Sequence, residues 1–187
     1  MVVVLALAVG VALSGRDGEK SKVVEETQTP QATSTPISRG TYGNDPLNTS
    51  YLIEGTIVDL VDGEYEESIP QSTTKIVTSV WDVTMGSLTQ ESRDDAAVVL
   101  VQDPGGSGTF YYIAASLDKG DGYLGTNAVF LGDRIAIQTV VIENMQIIVN
   151  YADREEGDSI ADSPSVGVSK YFVVDGEKLI EAPNPNL

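Results

Sequence analysis

The chain contains no cysteine and no histidine among its 187 residues, and sets only 11 basic side chains against 28 acidic ones. Each shortage removes a class of chemistry. Without Cys or His there is no zinc finger, no c-type haem attachment, no disulfide framework, no thiol nucleophile and no Ser-His-Asp triad. A formal net charge of −17, with a pI near 4.1, repels a phosphate backbone; it excludes nucleic acid as a partner and disfavours anionic membrane surfaces. The apolar run at residues 2–13, VVVLALAVGVAL, is about a dozen residues long where a spanning helix needs ~20. Any chemistry must run on carboxylates, Ser, Thr, Tyr and Lys. Hydrophobic residues make up 41% of the chain and charged ones 21%, near the globular average, so one folded domain with a tail is expected.

Residues 1–15 read as a signal-peptide-like segment. The run suits a secretory h-region of ~7–15 residues, and Ala12-Leu13-Ser14 supplies the small-x-small pattern of a cleavage site, although no positively charged n-region precedes it. Leu13-Ser14-Gly15 also resembles the first three residues of a bacterial lipobox, with Arg16 where the lipid-bearing cysteine would stand. Arginine cannot form the thioether, so lipidation at this position is chemically barred. Residues 16–48 are rich in Thr, Ser, Pro, Gln and Glu and too poor in large apolar groups to offset their ordering entropy; they are expected to form a flexible linker. A β-domain is expected over 49–183, with a tail at 184–187. The resulting expectation is an exported protein, periplasmic, cell-surface or extracellular in a bacterium, with no transmembrane span in its mature form.

From Tyr51 onward, short β-branched and aromatic runs alternate with Gly, Asp and Asn, and no amphipathic helical period is present. Residues 51–60 read as a strand and Asp62-Gly63 as a turn. Residues 75–84, KIVTSVWDVT, form a second strand region with the single Trp, and Ala96–Val101 is apolar on both faces, as a central strand requires. Hairpins are expected at Glu143-Asn144 and at Asp175-Gly176-Glu177. About eight or nine strands joined by short loops make an all-β, antiparallel meander, a sandwich or barrel-like domain.

The stretch most suggestive of chemistry is GSLTQESRDDAAVVL, residues 86–100. It is similar to an acidic loop of the pattern GDL(N/D)GDGxDDAAVVL, in which oxygens at alternating positions surround calcium and a central Gly makes the turn. The alternating positions here are Ser87, Thr89, Glu91 and Asp95, with Arg93 between the last two and Ser92 in place of the glycine. Two carboxylates and two hydroxyls make a degenerate site with Glu91 and Asp95 as its charged ligands, binding calcium at about millimolar level or not at all. Further blocks follow in order: Gly105-Gly106-Ser107-Gly108-Thr109-Phe110-Tyr111-Tyr112, Leu131-Gly132-Asp133-Arg134 and residues 171–179, YFVVDGEKL. Together these resemble a family of exported bacterial proteins, often lipoproteins. That resemblance implies location and fold and carries no reaction.

Other motifs point to structure. The Gly105–Gly108 run has no following helix and no Gly-Lys-Ser/Thr ending, so it is a turn and not a phosphate cradle. Ser72-Thr73-Thr74-Lys75 matches Ser-x-x-Lys but lacks the partner motifs of penicillin-binding enzymes. Asp94 and Asp95 are adjacent at a strand entry and should point opposite ways, as should Tyr111 and Tyr112; at 6% aromatic, the rings are few enough for the core to use up. No catalytic residue is assigned. The expected function is a non-catalytic envelope module with an unidentified envelope or extracellular partner; the alternatives are a small carboxylate-dependent hydrolase and a module with a vestigial calcium loop.

Overall fold

The computed structural model describes residues 42–159 and 161–185. The signal-like segment, most of the linker and part of the tail lie outside the described residues. The domain is all-β: among the described residues there are twelve strands and no helix, so none long and apolar enough to cross a membrane.

β1 (Ser50–Ile53) and β2 (Thr56–Asp59) form a hairpin. β3 (Glu64–Ser68), β4 (Lys75–Gly86), β5 (Asp95–Asp103), β6 (Phe110–Asp118) and β7 (Tyr123–Gly125) form the main sheet in that order, and β8 (Val129–Asp133) pairs the other half of β6. β9 (Ala136–Glu143), β10 (Gln146–Asp153), β11 (Val166–Asp175) and β12 (Lys178–Ala182) make a second sheet in meander order. All strand pairs in these ladders are antiparallel, and one of the sheets curls into a half-barrel.

The main sheet is the middle layer. Ala97, Val99, Ile113, Ala115 and Leu117 pack from one face onto Ile147, Val149, Tyr151 and Phe172 of the second sheet. Ala96, Val98, Leu100, Tyr112 and Ala114 pack from the other face onto Tyr51, Ile53, Val58 and Leu60. Burial on both faces is why β5 lacks polar alternation. Tyr111 and Tyr112 do point opposite ways: Tyr112 is buried toward the hairpin, and Tyr111 is partly buried on the other face.

Residues 51–60, expected as one strand, fold back on themselves. Glu54 and Gly55 both take positive φ, 48° and 89°, the two-residue turn whose twist matches a hairpin. The reversal turns Tyr51 and Ile53, then Val58 and Leu60, toward one core. Ahead of the hairpin, Gly43 exchanges backbone bonds with Tyr123, and the Tyr51 hydroxyl donates to the Pro46 carbonyl at 2.8 Å. Asn48 donates to both Asp45 carboxylate oxygens, and its own carbonyl oxygen accepts from Asp62 N–H, so Gly43–Asn48 is built into the fold.

Candidate functional site

The β4–β5 loop is organised by Asp95, which is 1% exposed. Its Oδ2 accepts from the Leu88 and Thr89 N–H groups, both at 3.0 Å, and from the Thr89 hydroxyl at 3.1 Å; its Oδ1 accepts from Asp118 N–H at 3.0 Å. Four donors thus engage both carboxylate oxygens, three of them crowded on Oδ2. Asp95 thereby folds the loop inward, seats Leu88 in the core and fastens the loop to the end of β6. Glu91 is elsewhere: exposed, with Oε2 accepting from Arg93 Nη2 at 2.7 Å. The Arg93 guanidinium also lies 3.9 Å from Asp118 Oδ1. Ser87 donates to the Thr89 carbonyl. The loop is thus closed by its own donors around Asp95 and by an internal cation, Arg93, beside Glu91. Asp94 is exposed where Asp95 is buried, the opposite pointing expected of neighbours at a strand entry.

Asp133 at the β8–β9 corner is similarly occupied. It accepts from the Arg134 guanidinium through both oxygens and from Thr109 N–H at 2.8 Å, and the Arg134 bond leads the causes that hold its carboxyl below the usual range. That shift is opposite to the one a general acid needs.

A surface of different character lies on the main sheet. Near its C-terminal end β4 is covered by β9: the Thr84 hydroxyl donates to the Val140 carbonyl at 3.2 Å, and a Cβ on Gly86 would sit 3.0 Å from Ile142. Toward its N-terminal end β4 runs past that cover. The pairing register places Glu64 beside Ser79, Val101 and Tyr111 on this face, and Glu66 beside Val77 and Asp103. Val77, Ser79, Val101 and Tyr111 are only partly buried there.

Trp81 stands at the rim of this overhang. The β4–β5 register shifts between Val80 and Asp82, so Trp81 is the extra residue of a β-bulge. Trp81 follows Val77 and Ser79 on the overhanging face, and the bulge sets Asp82 beside it: Trp81 is 62% exposed and meets the Tyr111 ring edge-on, with centroids 6.2 Å apart and planes at 73°. A second exposed ring, Phe130, is 46% exposed and packs edge-on against Phe110 and Tyr112 on the hairpin side. The core therefore does not use up the aromatic residues. A sequence signal for the bulge exists in hindsight: Val80 and Val83, three apart, both pack toward the hairpin, so the alternation of β4 slips by one residue between them.

A shallow concavity at the opposite end of the second sheet is lined by Leu88, Thr89, Asn144, Met145, Val173 and Gly176. Asn144 and Met145 form its hairpin rim, one residue later than the expected Glu143-Asn144 turn, and both have positive φ.

No protein-family model, curated protein or solved structure matches this chain.

Proposed function

We propose that this protein is an exported, envelope-associated binding module without catalytic activity, whose contact surface is the overhanging face around Trp81. The single observation that carries the binding assignment is the 62% exposure of the only Trp, set at a bulge on the overhanging part of the main sheet. Bulges are over-represented next to active sites, where they re-aim side chains, and Trp81 is not a lone exposed apolar residue but adjoins Tyr111 and the partly buried Val77 and Val101. Support for the non-catalytic reading comes from Asp95 and Asp133, the carboxylates most enclosed by donors, whose oxygens are taken up in holding loops together. Support for export comes from the signal-like residues 1–15 and the resemblance to exported bacterial proteins.

Two measurements test the reading. Expression of the full chain in a bacterium should yield a product outside the cytosol that lacks the residues before Arg16, whereas intact Met1 in the cytosol would overturn export. The purified domain should sediment with isolated cell envelopes and lose that property on Trp81→Ala; sedimentation unchanged by the substitution would overturn the assigned surface.

A further inference from the structure

We infer that the overhanging face of the main sheet binds a basic, extended peptide segment, with a cationic side chain stacked on Trp81. The inference rests on the binding role just proposed and adds the chemistry of the partner.

In the bulge, Trp81 and Asp82 together oppose Val99, so both project on the side where Trp81 meets Tyr111. The register puts Glu64, Glu66 and Asp103 on the same face, and all four of these acids are exposed. Lys75 is the cation set among them, and it is paired to Glu66. At the near corner, Arg134 is held by Asp133, while Arg154 donates to the backbone carbonyls of Asp162 and Arg134. An apolar strip of Val77, Val101, Tyr111 and Trp81 is thus rimmed by carboxylates whose cations are few and engaged. A neutral ligand would leave those carboxylates without complement, and an anionic one would be repelled by them and by the chain's net charge of −17.

Ring and rim together fit a cation. The face of an indole is the best π-surface for an ammonium or guanidinium, and neighbouring acids lower the cost of bringing the charge there. Shape agrees. Crossing β3 to β6 spans three strand spacings of ~4.8 Å, about 14 Å, which is the reach of roughly four extended residues at ~3.3 Å each. Side chains of such a segment alternate, so every second one faces the sheet. One can lie on Trp81 while the next reaches the acids beside Val77.

Trp81 is the only Trp in the chain, so its emission reports on the site directly. Full-length protein is titrated with hexa-arginine, with an uncharged Gly-Ser hexapeptide and with a neutral oligosaccharide, and Trp81→Ala is followed by calorimetry. The expected result is a saturable change of Trp81 emission with hexa-arginine alone. The affinity should fall at least threefold when salt is raised from low to physiological strength, and about three- to tenfold in Trp81→Ala with its melting temperature kept. The triple change Glu64→Gln, Asp82→Asn, Asp103→Asn should weaken binding and flatten the salt dependence. If the uncharged peptide or the oligosaccharide moves Trp81 as strongly, the cationic partner is refuted while the binding module stands. If none of the three ligands moves it, both readings fall.

Discussion

Replacing Asp95 separates a structural carboxylate from a functional one. Asp95→Ala strands three backbone N–H groups and the Thr89 hydroxyl, and an unmet buried donor costs roughly 1–3 kcal/mol. The Leu88 bond is fully enclosed while the bonds to Thr89 and Asp118 are partly reached by water, so the losses do not add in full. Leu88 also loses its anchor in the core, and burying such a side chain is worth ~1.5–3 kcal/mol. The expected net loss is about 3–5 kcal/mol, a large share of the ~5–15 kcal/mol that holds a domain together. Asp95→Asn should cost about half as much: its carbonyl oxygen serves the three donors now on Oδ2, and its amide group faces the Asp118 N–H donor to donor. Asp94→Asn, on an exposed side chain, should stay within ~0.5 kcal/mol of the native protein. Urea denaturation reads these values, with a slope of ~1–3 kcal/mol/M converting the alanine loss to a midpoint drop of about 2 M. An Asp95→Ala midpoint indistinguishable from that of Asp94→Asn would refute the clamp.

Four further outcomes follow from the same geometry. Met145 occupies a left-handed turn position with φ of 60° and is 44% exposed, so Met145→Gly should raise stability by about 0.5–1 kcal/mol in the same urea assay. Asn127 pairs its side-chain amide with both the N–H and the C=O of Leu179 on edge strand β12; Asn127→Ala should cost about 1–2 kcal/mol and speed aggregation measured by light scattering. Burial first, and then the charge and hydrogen bonding of Glu54, push the Tyr112 phenol up to about 12 from 10.0. The raised value favours the neutral phenol in the fold: its contribution is complete below pH 10 and is lost as pH rises through about 12, and Glu54→Gln should bring the Tyr112 titration midpoint down in an NMR pH series. Because donors already engage both Asp95 oxygens, the melting temperature should be the same in chelator and in several-millimolar calcium; a rise of several degrees with calcium would show that the ion displaces them.

The all-β class and the central strand were legible because they are local or compositional. Ala96–Val101 has no polar alternation, and a strand without it must be covered on both faces. The turn at Asp62-Gly63 was legible for a similar reason, since Asp-Gly takes the positive φ that two-residue turns demand. Glu54-Gly55 uses the same turn without the same signal, because Glu is a poor marker for a left-handed position and the flanking residues read equally well as one long strand. Ser87, Thr89, Glu91 and Asp95 are oxygens at alternating positions, but spacing cannot say whether they converge, or whether they face a cation or the chain's own N–H donors. That depended on Asp118 arriving from β6, more than twenty residues away.

Sequence alone determined the acidic surface, the chemistry that missing Cys and His exclude, and the strand-forming pattern, because each follows from side chains counted or read along the chain. Tertiary structure decided which carboxylate is buried, which aromatic ring is left outside and which acids surround it. Those outcomes rest on register: Trp81 continues the face of Val77 and Ser79, and a single extra residue at the bulge brings Asp82 onto that same open, acid-rimmed face while returning Val83 to the hairpin side.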